Sequence, residues 1–200
     1  MRRGSTWLFC ALALGLGWLW WNGRPVAHVE GVIAPDAPVQ SGLASPQPPI
    51  PFKDAVLHPL ASFSLTARVL ARDDYRFDPQ SDLSPTDLAL GWGRMSDGAV
   101  LREIDIRQSG RFYYWRTKAF PIPRREIETH SANMHMIPAD ALVAHELRRV
   151  RSGDVISLEG LLVEADRPNG WKWRSSMTRD DTGDGACELV YVQSLSIGRR

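Results

Sequence analysis

Cysteine is almost missing from this chain. Its 200 residues include two, Cys10 and Cys187, and Cys10 sits inside an N-terminal apolar run. No internal disulfide framework can brace the remainder. A charge excess is missing as well: 24 Lys and Arg face 23 Asp and Glu, for a formal net charge of +1. Without a field of one sign there is nothing to steer a polyanion, so nucleic acid is not an expected partner. No CxxC or HExxH pattern occurs, and there is no internal repeat or coiled-coil heptad. These absences exclude a disulfide scaffold and the best-known zinc motifs, and no cofactor is expected.

Charge is also absent from the stretch between Arg3 and Arg24, which reads "GSTWLFCALALGLGWLWWNG". Twenty helical residues span about 30 Å, the thickness of a bilayer core. Arg2 and Arg3 would hold the N-terminus in the cytoplasm, and Trp18, Trp20 and Trp21 would form an interfacial belt at the far end. Residues 1–24 therefore read as a signal-anchor transmembrane helix. The competing reading is a cleaved signal peptide ending at Ala27, but Pro25 and the tryptophan cluster fit it poorly. Cys10 lacks the small residues expected before a lipidated cysteine. Either way the remaining chain is expected outside the cytoplasm, with the inner membrane as its anchoring partner.

Residues 25–52 hold Pro25, Pro35, Pro38, Pro46, Pro48, Pro49 and Pro51 among small residues. That composition predicts an extended, semi-rigid spacer. Residues 53–200 then read as a β-rich domain. "FSLTARVLA" alternates Phe63, Leu65, Ala67 and Val69 on one face, as a strand does. "LSPTDLALGWG" predicts a short helix, with Ser84 as N-cap, Pro85 at the first helical position, Asp87 three residues after the cap, and Gly91 and Gly93 as stops. Strands are expected near 100–107 and 111–117. "PADALVAHELRRV" predicts an amphipathic helix with Leu142, Leu147 and Val150 on its apolar face and Gly153 ending it. "GDVISLEGLLV" predicts a strand with Gly160 allowing a bend, Pro168-Asn169-Gly170 a turn, and 187–192 a last strand. The expected fold class is mainly β (α+β): an N-terminal transmembrane helix, then a small OB-like β-barrel with one or two short helices. The order of three strands, a helix and further strands carries that likeness.

Four stretches, "LSPTDLALGWGRMSD", "HSANMHMIPA", "GDVISLEGLLVEA" and "RDDTGDGACELVYV", resemble a family of uncharacterised bacterial membrane-anchored envelope proteins. The likeness covers about Ser84 to Val192. It implies architecture and a Gram-negative envelope location, and no activity is established for that family.

Several residues could carry chemistry. His130 and His135 in "HSANMH" are five apart. On a strand they face opposite sides, and on a helix they lie about 140° apart, so only a loop could bring both to one ion. His145 lies beyond Pro138. The plainer reading is that Ser131, Asn133 and a histidine hydrogen-bond a tight connection between Pro123 and Pro138. A weak catalytic set would comprise His130 or His135 as base, Asn133 or Asp181 as orienter and Cys187 as nucleophile. Asp180, Asp181, Asp184 and Glu188 surround Cys187 and would raise its pKa, with Arg179 offsetting part of this. "DDTGDG" partly follows a calcium loop through Asp180, Thr182, Asp184 and Gly185, but has Tyr191 in place of the bidentate Glu, and reads more simply as a solvated hairpin loop. No metal site is therefore expected.

Tyr113, Trp115, Trp171 and Trp173 alternate with Tyr114, Arg116, Lys172 and Arg174. They are either core residues or a binding surface, with Arg174 on its polar side, for a glycan, peptide or envelope protein. Two functions follow. The first, and the preferred one, is a membrane-anchored envelope protein whose small β-barrel acts as a binding or assembly module rather than an enzyme. The alternative is an envelope hydrolase using the His/Asn/Cys constellation.

Overall fold

The computed structural model describes residues 26, 30–181, 183 and 185–198. The expected signal-anchor helix at 1–24 lies outside the described residues. Among the described residues no helix is long and apolar enough to cross a membrane.

The protein is mainly β with a few short helices. Its strands are β1 (Val39–Gly42), β2 (Ile50–Phe52), β3 (Ala55–Asp74), β4 (Thr86–Gly91), β5 (Asp105–Ser109), β6 (Phe112–Arg116), β7 (Ser131–Pro138), β8 (Val155–Asp166), β9 (Lys172–Arg174) and β10 (Glu188–Ile197). The helices are α1 (Gly98–Leu101), α2 (Arg124–Thr129) and α3 (Ala141–Arg149). Five strands close a ring in the order β3-β4-β7-β10-β8 and back to β3. The β7–β10 pair is parallel and the other four are antiparallel. The helix α3 links β7 to β8.

Alternation places the ring's apolar residues. Phe63, Leu65, Ala67 and Val69 of β3 point inward, where they meet Leu88, Leu90, Met134, Met136, Leu158 and Val190. Val143, Leu147 and Val150 at α3 join this cluster. A bulge between Pro59 and Ala61 turns the start of β3 over, so Leu57 packs instead with Ile137, Val163 and Leu189 in a second apolar layer outside the ring. Phe52, Trp171, Trp173 and Tyr191 cover that layer. The β5–β6 hairpin, α1 and α2 enclose a third cluster around Met95, Ile104 and Ile127.

Four expectations change. "LSPTDLALGWG" forms β4, not a helix: all six residues of the strand are buried, between β3 on one side and β7 on the other. Pairing on both edges overrides a local capping signal, and burial on both faces erases the alternation that marks a strand. "HSANMH" is no tight connection, because β7 runs from Ser131 through His135. The strand expected at 100–107 divides into α1, capped by the Asp97 side chain accepting from Ala99 N, and β5. On α3 the cap is Asp140, which accepts from the amides of Leu142 and Val143. That phase buries Val143 and leaves Leu142 78% exposed.

The proline-rich segment is extended but not free. From residue 30 onward it lies against the ring. Ala34 is fully buried, with its amide on Ser96 Oγ at 3.1 Å. β1 pairs with residues 61–64 and β2 with residues 55–57, so the boundary expected at Lys53 falls in the turn of a hairpin.

Gly160 of β8 stands directly against the β10 backbone. A Cβ there would stand 2.1 Å from the Tyr191 carbonyl oxygen, beside the bulge between Val192 and Ser194. We expect Gly160→Ala to lower unfolding free energy by about 3 kcal/mol, the upper range for overpacking. Gly42→Ala has open space and should stay within about 0.5 kcal/mol of the parent in the same urea titration.

Candidate functional site

The outer face of β4 and β7, opposite the ring's interior, carries a buried polar group beside Ala89 and Ile137. Leu88, Leu90, Met134 and Met136 go inward, so Asp87, Asn133 and His135 face outward. The β5–β6 hairpin and β9 cover them. Asp87 is fully buried, Asn133 is 2% exposed and His135 is 3% exposed.

Arg111 organises this layer. It stands with Gly110 in the two-residue hairpin turn, and both have positive φ, 60° for Gly110 and 71° for Arg111. A twisted hairpin favours such a turn, but a non-glycine residue pays for it in steric strain. The Arg111 contacts outweigh that strain. Its guanidinium donates to Asp87 Oδ1 at 3.0 Å, to both Asp78 oxygens at 2.8 and 3.0 Å, and to the Ser84 carbonyl at 3.0 Å. It stacks over Tyr75 at 4.1 Å and lies 5.4 Å from Trp173. Its amide donates to Tyr75 OH, and its carbonyl accepts from Asn133 Nδ2 at 2.9 Å. Asn133 Oδ1 accepts from Gln108 Nε2 at 2.7 Å. His135 Nδ1 stands 2.9 Å from the second Asp87 oxygen, with its ring against Trp173.

Two cavities flank this network. The first, about 300 Å³, is lined by Phe112, Tyr113, Tyr114 and Trp115 of the hairpin, Ser131 and Asn133 of β7, and Arg179, Asp181, Cys187 and Glu188 ahead of and opening β10, together with Glu128 of α2. The second, about 330 Å³, lies between Gln80, Arg111, His135, Trp173, Arg174 and Cys187. Tyr113 OH meets Ser131 Oγ at 2.6 Å, and burial pushes the phenol up to about 12. Glu188 is 1% exposed and opens on the inward side of β10. Its Oε1 forms an ion pair with Arg179 Nε at 2.5 Å that is not aligned as a hydrogen bond, and Oε2 has no hydrogen-bond partner. Burial pushes this carboxyl up to about 8, against the pull of the Arg179 charge.

The expected catalytic set does not assemble. His130 ends α2, with Nδ1 3.1 Å from Thr129 Oγ1 and its ring beside Trp92. His135 is bound to Asp87 on the outer face of β7. Cys187 does meet Asn133, at 3.8 Å, and the Arg111 carbonyl, at 3.9 Å, but no imidazole contact accompanies them. Its thiol is pushed up to about 12, by burial first and then by Glu188, Asp87 and Asp181, with the Asn133 hydrogen bond opposing. Such a thiol is not a ready nucleophile at neutral pH.

The aromatic residues divide between two places. Tyr113 and Trp115 line the first cavity, with Trp115 edge-on to Phe120. Trp171 and Trp173 pack edge to face over the second apolar layer, and only Trp173 reaches a cavity, where Arg174 is held by Glu164 at 2.5 Å. They do not form one continuous face. Among the described residues no group of three His, Cys, Asp or Glu side chains is placed to hold a metal ion. In the calcium-like loop, Thr182 and Asp184 lie outside the described residues; Asp180 pairs with Arg125, and Asp181 accepts from Ser176 Oγ. Arg111, Asp87, Arg179 and Glu188 carry the site's electrostatics, and none is singled out by a local motif.

No protein-family model, curated protein or solved structure matches this chain.

Two outcomes are expected here. Arg111→Met should cost about 3–5 kcal/mol in urea denaturation, because Asp87 is left buried without its guanidinium. Adding Asp87→Asn should recover part of that loss, which a double-mutant cycle would read. For Cys187, a raised pKa means the thiolate fraction keeps growing with pH far above neutrality. Labelling of the folded chain by a thiol reagent should rise steadily from pH 7 to 10, without the plateau near pH 9 that an ordinary thiol shows.

Proposed function

We propose that this chain is a ligand-binding module built on an OB-type small β-barrel and tethered to the outer face of the inner membrane. The order of pairing supports the barrel reading. Taking β3, β4, β7, β8 and β10 as first to fifth, the ring runs first, second, third, fifth, fourth, and the helix falls between third and fourth. That connectivity is characteristic of OB barrels, which bind chain-like ligands on the outer face of their second and third strands. Here those strands are β4 and β7.

The observation that carries the reading is the first cavity. It lies beside β7, is walled by aromatic side chains of an inserted hairpin, and has polar groups converging from β7 and β10. A concave, largely apolar site with a few placed polar groups is what small-ligand recognition uses. The envelope location rests on the uncharged run between Arg3 and Arg24 and on the likeness to membrane-anchored envelope proteins. A glycan or an envelope protein would be the partner.

The hydrolase alternative has one observation in its favour, the Asp87–His135 pair, which has the form of an oriented general base. Against it stand the raised Cys187 thiol and the burial of His135 beneath Trp173. The carboxylates of the first cavity also disfavour a phosphate backbone as ligand.

The test is photo-crosslinking in intact cells of the source organism. A benzophenone amino acid at Tyr114, 57% exposed on the cavity rim, should give a discrete adduct. The same probe at Ser157, paired with Ser196 near the far end of β10, should not. Equal adducts from both positions, or none from Tyr114, would remove the binding-module reading. Protease treatment of spheroplasts should digest the ring domain; survival until lysis would remove the location outside the cytoplasm.

A further inference from the structure

We propose that the first cavity recognises a primary ammonium group carried on a ring or a short apolar chain. This rests on the binding-module reading and narrows it to a chemical class.

Three observations converge. The first is Glu188. A carboxylate oxygen that is buried without a donor is costly, and the deficit is largest for a charged group. Oε2 has no partner while Oε1 faces Arg179. A donor brought by a ligand would relieve that deficit, and a cationic donor makes the stronger hydrogen bond. The second is the charge balance of the described lining: Glu128 is paired with Arg124 at 2.8 Å, which leaves Asp181 and Glu188 with one lining guanidinium, that of Arg179. Arg179 is itself committed: it lies over the Phe63 ring at 5.5 Å and donates to Gln40 Oε1 at 3.1 Å. It serves as the counter-charge of one carboxylate, so an incoming cation meets a second carboxyl group that has no guanidinium of its own. The third is the aromatic wall of Phe112, Tyr113 and Trp115, which can bury the apolar body of a ligand; Trp115 already has a cation over its ring, the Arg124 guanidinium at 6.0 Å. Neutral hydroxyl ligands would use the aromatic wall but not the acidic balance.

Two sources supply this chemistry, an amino sugar and a lysine side chain, and the experiment separates them. The full chain, purified in detergent and labelled with 5-fluorotryptophan, is followed by fluorine NMR, with the Trp115 resonance assigned from Trp115→Phe. The probes are D-glucosamine and Nα-acetyl-lysine methylamide, each against its neutral counterpart, N-acetyl-D-glucosamine and the Nε-acetylated lysine. We expect an ammonium probe to move the Trp115 resonance with at least about tenfold tighter binding than its neutral partner, and the tighter of the two arms names the source. Glu188→Gln should erase that preference. The comparison of charged and neutral probes is made on the unmutated chain, so it stands whether or not the variant folds. Equal binding of charged and neutral probes at Trp115 overturns the inference and leaves the cavity a binding site of another class. A Trp115 resonance that none of the four moves overturns the inference and leaves the binding-module reading to the crosslinking result.

Discussion

The salt bridge between Arg111 and Asp87 is the contact on which the outer half of the molecule depends. Asp87 is fully buried on β4 and cannot keep its charge there unpaired. Arg111 supplies the counter-charge from the tip of a hairpin that has no strand pairing to the ring. The same guanidinium holds Asp78 and the Ser84 carbonyl, so the chain between β3 and β4 is fixed by the same side chain. Through its own carbonyl and Asn133 it fixes the hairpin on β7. The cavity walls are thus positioned by a charge cluster. The apolar interior of the ring sits on the other face of β4 and β7.

This division explains where polar groups occur. Inside the ring, closure of the strands satisfies the backbone and apolar side chains fill the space. Outside β4 and β7 the polar layer is covered by the hairpin and Trp173 and is held by ion pairs and hydrogen bonds, although Asp87 Oδ2, His135 Nδ1 and Gln108 Oε1 make no aligned hydrogen bond. His135 and Asn133 belong to this layer. Asn133 spends its amide on the Arg111 carbonyl and the Gln108 side chain, and His135 sets Nδ1 against Asp87. They shape the cavities and hold the hairpin. Glu188 lies apart from this layer, on the inward side of β10, where its Oε2 has no hydrogen-bond partner beside the first cavity.

Much of the fold could be read from local patterns. β3 and β8 alternate on one face for most of their length, the amphipathic pattern of 138–150 marks α3, and the proline-asparagine-glycine turn follows β8. What escaped was set by contacts far apart in the chain. β4 is buried on both faces, so its apolar run carries no period, and the Ser84-Pro85 pair imitates a helix start. Arg111 reads as one more arginine among many, because its acidic partners lie 24 and 33 residues away. Glu188 reads as a member of a solvated acidic loop, and only its inward phase at the start of β10 buries it. Alternation left Tyr113, Trp115, Trp171 and Trp173 open as core or surface: Tyr113 and Trp115 line the first cavity, while Trp171 and Trp173 share the pattern and pack over apolar residues.

The ring closes through β3 and β8, which are distant in sequence: Thr66 and Ser157, 91 residues apart, share a hydroxyl hydrogen bond of 2.8 Å across that seam. During synthesis β3 emerges early, and its apolar face has no seam partner until most of the chain has left the ribosome. Closure of so large a loop comes at an entropic cost that must be met before the pairing rewards it. The parallel β7–β10 pair waits longer still, because β10 ends the fold. The early hairpins of β3 with β1 and β2 lie against this delay. They cover an edge of β3 from the moment it appears, which gives the proline-rich segment a protective role during folding that is separate from any role as a tether.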